Sequence, residues 1–171
     1  MRRRTSTPCQ GSLDARAKLR LERDDTYHYG VKFKLPDAVG VAAADLGDPT
    51  SVRDYVLCVY DATALVAMEP AWAATTCNNR PCWQLPTNGV RYRNPEARRG
   101  KLTRLRVKAR ASGTGNAVVK GRVTTVSAPS VGLSLTLPVV VQLLADDTCL
   151  GATFTSATMN GPDLLDAKNG Q

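Results

Sequence analysis

The 171-residue chain is expected to be all-β, an antiparallel β-sandwich of about eight or nine strands. Three observations predict this. Runs of alternating apolar and polar residues recur along the chain. Turn-forming Asp, Asn and Gly separate them at intervals of roughly 8–15 residues, the rhythm of short strands. No stretch shows the 3.6-residue period of a long helix. With 43% hydrophobic and 22% charged residues, 13 Gly and 10 Pro, the composition is globular, not disordered. A chain of this length buries about 70% of its unfolded surface as one domain. No apolar run approaches the ~20 residues of a membrane-crossing helix.

The organisation reads as a flexible basic arm over residues 1–13, a β-sandwich domain over 14–157 and a loose polar tail over 158–171. Ala17, Leu19 and Leu21 alternate with Lys18, Arg20 and Glu22, and Asp24-Asp25 supplies a turn. Tyr27, Tyr29, Val31, Phe33 and Leu35 then alternate with His28, Gly30, Lys32 and Lys34, so the two runs form a hairpin. Pro36 to Ser51 reads as a long loop with room for a short helix. YVLCVYD (Tyr55 to Asp61) is apolar on both faces, as a central strand should be, and ATALVAMEP returns beside it. An irregular cysteine-bearing loop closes at Asn88-Gly89 and leads into the short strand VRYR. KLTRLRVKARA and AVVKGRVTTV flank the Gly-rich turn SGTGN, which is the clearest hairpin signal in the chain. Leu133 to Leu143 hold one phase, interrupted at Pro138, and CLGATFTS follows an Asp146-Asp147 turn.

Five cysteines fit an oxidised domain with two bridges and one spare thiol, or a cytosolic domain with buried thiols. Cys58, Cys77, Cys82 and Cys149 lie in the folded body and are the disulfide candidates; Cys9 lies in the arm and is the natural odd one. In CNNRPC a structural bridge is favoured over a redox pair, because CxxC at a helix start is missing. Three connectivities of the four body cysteines stay open. No metal or cofactor site is expected: the single His28 is far from the close cysteine pair. The start MRRRTSTPCQGSLDAR has no apolar h-region, so an exported protein would be represented here by a fragment or a late start; a cytoplasmic protein is the alternative.

The net charge of +8 is concentrated. Between Arg91 and Arg122 eleven cations stand against Glu96 alone, a local +10 that leaves −2 for the rest. In KLTRLRVKAR, Thr103, Leu105, Val107 and Ala109 fall on one strand face and Arg104, Arg106, Lys108 and Arg110 on the other. Lys120 and Arg122 on the partner strand bring the cations to six, a geometry able to follow phosphates. The competing reading is a solvated sheet face whose cations discourage edge pairing. Nucleic-acid platforms interleave aromatics that stack on bases, and this hairpin has none, so nucleic acid is not the favoured partner.

Other candidates are weaker. The two DDT turns are read as turn-forming Asp, not as a calcium site, and GTGN as a hairpin turn, not a phosphate loop. His28 is expected to be exposed and without a catalytic role. Trp72, Trp83 and Tyr92 offer a glycan-stacking platform, against which stands core packing around a bridge.

GDPT (Gly47 to Thr50), YVLCVYD, PCW (Pro81 to Trp83), RYRNP, LRVKARASGTGNAVVKGR and VVVQLLADDTCLGATF together resemble a domain common in predicted secreted proteins of environmental bacteria. The resemblance spans roughly residues 14–156 and departs from the pattern at CLG (149–151), where CW is expected. It implies an extracellular or cell-surface β-sandwich without established activity, and it carries no catalytic residue over. The leading expectation is thus a non-enzymatic, disulfide-stabilised structural or binding module. The alternatives are a polyanion-binding protein using the 101–122 hairpin (a small capsid-like subunit being one variant) and a carbohydrate-binding module.

Overall fold

The computed structural model describes residues 9, 16–25, 27–96, 101–126 and 133–169. Fourteen strands and one short 3₁₀ helix make up these residues. In chain order they are β1 (Lys18–Arg23), β2 (His28–Val39), the 3₁₀ helix Ala43–Leu46, β3 (Tyr55–Tyr60), β4 (Leu65–Ala71), β5 (Thr76–Cys77), β6 (Arg80–Pro81) and β7 (Trp83–Gln84). There follow β8 (Gly89–Arg93), β9 (Leu102–Ala109), β10 (Thr114–Thr125), β11 (Val139–Ala145), β12 (Thr148–Phe154), β13 (Met159–Asn160) and β14 (Leu164–Lys168). Every pairing is antiparallel. The all-β antiparallel class follows from the alternation, as the sequence predicts.

Apart from the β5–β6 ribbon, the strands form one curled 12-stranded sheet, not two separate ladders. Its hub is β10. One edge of β10 pairs with β2 over almost its whole length. The other edge pairs first with β9 and then, at Thr124 and Thr125, with β4. The switch falls at Gly121, where the β9 register shifts and φ is +144°. A Cβ there would lie 2.5 Å from Leu102 Cα, so only glycine allows the strand to bend and change partners. The path then runs β10–β4–β3–β11–β12 on one side and β10–β2–β1–β14–β13 on the other, with β9, β8 and β7 attached to β10.

One core lies inside the curl. Leu19 and Leu21 of β1, Val31, Phe33 and Leu35 of β2, Leu105 and Val107 of β9, and Val119 of β10 are all at most 1% exposed. They belong to one cluster with Tyr55, Leu57 and Val59 of β3, Val141 and Leu143 of β11 and Phe154 of β12. Period-2 alternation has this consequence: one phase of each strand supplies the core, and on β1, β2, β9 and β10 the cations of the other phase stand outside.

Several expectations need correction. The tail is not loose: β14 pairs with β1, and its Leu165 and Ala167 are fully buried. Burying a Leu and an Ala stabilises the docked strand by about 2–3 kcal/mol, which outweighs the polar look of the segment. Strand β2 extends to Val39, into the stretch read as a loop, with Asp37 at φ +52° marking the irregularity. The short helix anticipated there is the 3₁₀ turn Ala43–Leu46. The Leu133–Leu143 run becomes a strand only from Val139, after a cis Leu137–Pro138 bond, although Leu133 and Leu135 are buried. The basic arm of residues 1–13 lies outside the described residues, except for Cys9.

Two disulfides form, and the spare thiol is a different one from that expected. Cys77 pairs with Cys82, closing the CNNRPC loop as predicted. Cys149 pairs with Cys9, not with a body cysteine, and Cys58 is the buried free thiol. Cys9 lies against β12 at Gly151, where a Cβ would collide with the Val141 carbonyl oxygen at 2.6 Å and crowd Cys9 Cβ at 3.1 Å. Two bridges indicate an oxidising setting. Among the described residues no helix is long and apolar enough to cross a membrane.

Candidate polyanion-binding face

The outer face of the half-sheet β8–β9–β10–β2–β1–β14 carries two rows of cations. Register places Arg93, Arg104, Lys120, Lys32 and Arg20 side by side across five strands, with Asp166 next in line. Two residues further along, Arg91, Arg106, Val118, Lys34, Lys18 and Lys168 form the second row across six. Directly opposed residues sit about 5 Å apart and the rows about 6.7 Å apart. Ten cations thus share this surface with Asp166 as the single acid in either row.

Alternation forces the arrangement on each strand. Leu19, Phe33, Val119, Leu105 and Tyr92 must point inward, so their neighbours must point out. What alternation does not force is the sign of the outer residues. Seven directly opposed pairs are like-charged: Arg93–Arg104, Arg104–Lys120, Lys120–Lys32, Lys32–Arg20, Arg91–Arg106, Lys34–Lys18 and Lys18–Lys168. Such pairs destabilise a sheet, where opposite charges in the same places would stabilise it.

Among the described residues, counter-ions stand only at the margins. Arg20 contacts Glu22 at 3.3 Å and Asp166 at 3.5 Å. Arg122 is paired with Asp24, and Arg110 with Asp37, which Arg16 also contacts at 2.8 Å. Among the described residues, no ion pair engages Lys18, Lys32, Lys34, Arg91, Arg93, Arg104, Arg106, Lys108 or Lys120. Two shallow depressions open on this face. One, of about 450 Å³, is lined by Arg20, Gly30, Lys32, Lys101, Lys120 and Arg122, among others. The second, of about 580 Å³, is lined by Lys18, Lys34, Arg106, Lys108 and Arg110, among others.

Of the six cations singled out from sequence, Arg104, Arg106, Lys108 and Lys120 stand on this face as expected. Arg110 and Arg122 are also outside but are held by Asp37 and Asp24 at its edges. Lys18, Arg20, Lys32, Lys34, Arg91, Arg93 and Lys168 complete the surface and were missed as contributors. Their alternation was readable; the β2–β10 and β1–β14 pairings that align them with the 101–122 hairpin were not.

The other candidate sites resolve differently. Trp83 and Tyr92 are buried, at 2% and 4% exposure, and Trp83 packs against Tyr55 and Tyr92 at centroid distances of 5.2 and 4.9 Å. Trp83 Nε1 donates to the Trp72 carbonyl at 2.8 Å. Trp83 and Tyr92 build a core corner with Tyr55, and Trp72 alone of the three candidates is exposed, so they form no shared glycan platform. His28 is half-buried, its Nδ1 2.8 Å from Asp25 Oδ1, and not exposed as expected. Backbone donation from Tyr27 and the contact with His28 hold the Asp25 carboxyl below its ordinary value. The two Asp-Asp turns have separate partners: Asp24 pairs with Arg122, and Asp146 contacts Arg53 at 3.2 Å. Glu69, which no sequence motif marks, is buried; burial pushes its carboxyl up, and Thr124 Oγ1 donates to it at 3.1 Å.

Compared with protein-family models, with curated proteins and with solved structures, the chain matches none.

Proposed function

We propose that the chain is a non-catalytic binding module of an extracellular, oxidising setting, and that its cationic sheet face holds a linear polyanion. One observation carries this reading: seven like-charged pairs stand directly opposed across the β8–β14 half-sheet. An ordinary solvated face gains from interleaved acids, and the chain has 15 of them to place. Keeping them at the margins costs stability, and a polyanion laid over the rows offsets that cost. The two disulfides support the compartment. Nucleic acid is the less favoured ligand, since no aromatic side chain interrupts the rows to stack on bases.

The test is retention on immobilised heparin as a function of salt. Arg106→Glu, within the second row, is expected to elute at clearly lower salt than the wild type. Arg80→Glu, the same charge change at an exposed position of β6, is expected to elute with the wild type. Equal shifts in the two variants would assign retention to net charge alone and contradict the reading.

A further inference from the structure

Gly30 is the one outward-facing residue of β2 between His28 and Lys34 that lacks a side chain, and the backbone does not require its absence. Its φ lies outside the left-handed region, and a Cβ added there would find its nearest neighbour, the Glu22 carbonyl oxygen, at 3.6 Å, an ordinary contact. No bulge explains it either, because its register to Arg122 on one side and Glu22 on the other is continuous. Gly121 nearby is different, since there a Cβ would collide with the β9 backbone. A strand glycine weakens its strand, and where neither a bulge nor a left-handed φ accounts for it, close approach of another molecule does.

The surroundings say what kind of molecule. Gly30 floors the first depression, whose arginines are already engaged: Arg20 by Glu22 and Asp166, Arg122 by Asp24. The cations left to meet a ligand are Lys32, Lys101 and Lys120. Lysines are point charges with donors in three directions, suited to the spread oxygens of a tetrahedral oxyanion, whereas the planar fork that matches a carboxylate belongs to arginine. No aromatic lines the depression. In an oxidising setting the polyanion that fits is a sulfated polysaccharide. Resting on the polyanion reading above, we propose that the depression over Gly30 is a subsite for one sulfate group of such a polymer, held by Lys32, Lys101 and Lys120.

The test uses the full chain, a heparin octasaccharide and titration calorimetry at low salt, with thermal melting as the folding control. Gly30→Val fills the depression without changing charge, and Gly30→Ala fills it less; both are expected to melt at or above the wild-type temperature. Gly30→Val is expected to weaken octasaccharide binding at least tenfold, and Gly30→Ala by a smaller factor. A polyuronate of equal total charge, and therefore of greater length, is expected to bind the wild type more weakly and to be insensitive to Gly30→Val. If Gly30→Val binds the octasaccharide like the wild type while Arg106→Glu does not, the subsite is overturned and the polyanion face stands. If the polyuronate binds equally well, or duplex DNA of matched charge binds more tightly, the sulfated ligand class is overturned. If the wild type binds no octasaccharide, both readings fall together.

Discussion

Lys32 of β2 stands directly opposite Lys120 of β10 and, on its other side, directly opposite Arg20 of β1. A lysine therefore sits between two cations, each one strand spacing away, in the middle of the sheet. The core residues Val31 and Phe33 fix that position, since shifting the register by one would expose both. The hydrophobic interior thus holds together an exterior that repels itself, and that repulsion has measurable consequences.

The first concerns salt. Raising ionic strength shortens the screening length from about 30 Å at 0.01 M to about 8 Å at physiological strength. The seven like-charged pairs are relieved more than the few marginal ion pairs are weakened. The melting temperature is expected to rise by a few degrees, at about 2–4 °C per kcal/mol for a chain of this size. A flat or falling curve in calorimetry would contradict the repulsion.

Thiol chemistry tests the bridge assignment. Denatured protein without reductant is expected to titrate one free thiol, Cys58. In the native state that thiol is expected to resist alkylation at mildly basic pH, because burial both covers it and pushes its pKa up. Cys9→Ser is expected to expose a second thiol, at half-buried Cys149. A native thiol that reacts at once would place Cys58 elsewhere.

Docking of β14 is tested by Leu165→Ala. A fully buried leucine truncated in a packed core costs about 2–4 kcal/mol. Asp163→Ala, at an exposed neighbouring position, should change stability by less than about 0.5 kcal/mol. The measurement is the urea midpoint at unchanged m-value. Equal midpoints for the two variants would return the segment to a loose tail.

Glu69 gives a pH signature. Burial raises its carboxyl above the ordinary 4.5, against the opposing hydrogen bond from Thr124 and the charges of Lys101 and His28. The folded chain therefore holds this proton more tightly than the unfolded one. Its contribution to stability falls as pH rises from 4.5 through the folded value. Glu69→Gln keeps an acceptor for Thr124 and removes the titration. The melting-temperature advantage of Glu69→Gln over the wild type is expected to grow between about pH 4 and about pH 7. An advantage that is constant or shrinking would contradict the burial argument.

What was legible in the sequence was whatever is local. Alternation in Ala17–Glu22, Tyr27–Leu35 and Lys101–Ala109 gave the strands and their inner faces, and the Asp-Asp and SGTGN turns gave the hairpins. Bonding of Cys77 to Cys82 followed from a short loop. What was not legible is non-local. No local signal says that β10 takes β2 as its second neighbour, or that β1 takes β14, and these pairings turn one cationic hairpin into a six-strand surface. The Cys9–Cys149 bridge joins residues 140 apart, with nothing at Cys9 to mark its partner. Gly30 could be read as an outward position of its strand. That nothing in the backbone requires a glycine there needs the coordinates of its neighbours.

The most direct test of the central claim is Lys32→Glu, read for stability and binding together. The substitution converts two repulsive cross-strand pairs into attractive ones, worth about 1 kcal/mol in favour of folding. The melting temperature is expected to rise while retention on immobilised heparin falls sharply. If Lys32→Glu lowers the melting temperature, or leaves retention as in the wild type, then the rows are an ordinary solvated surface and the polyanion account is wrong.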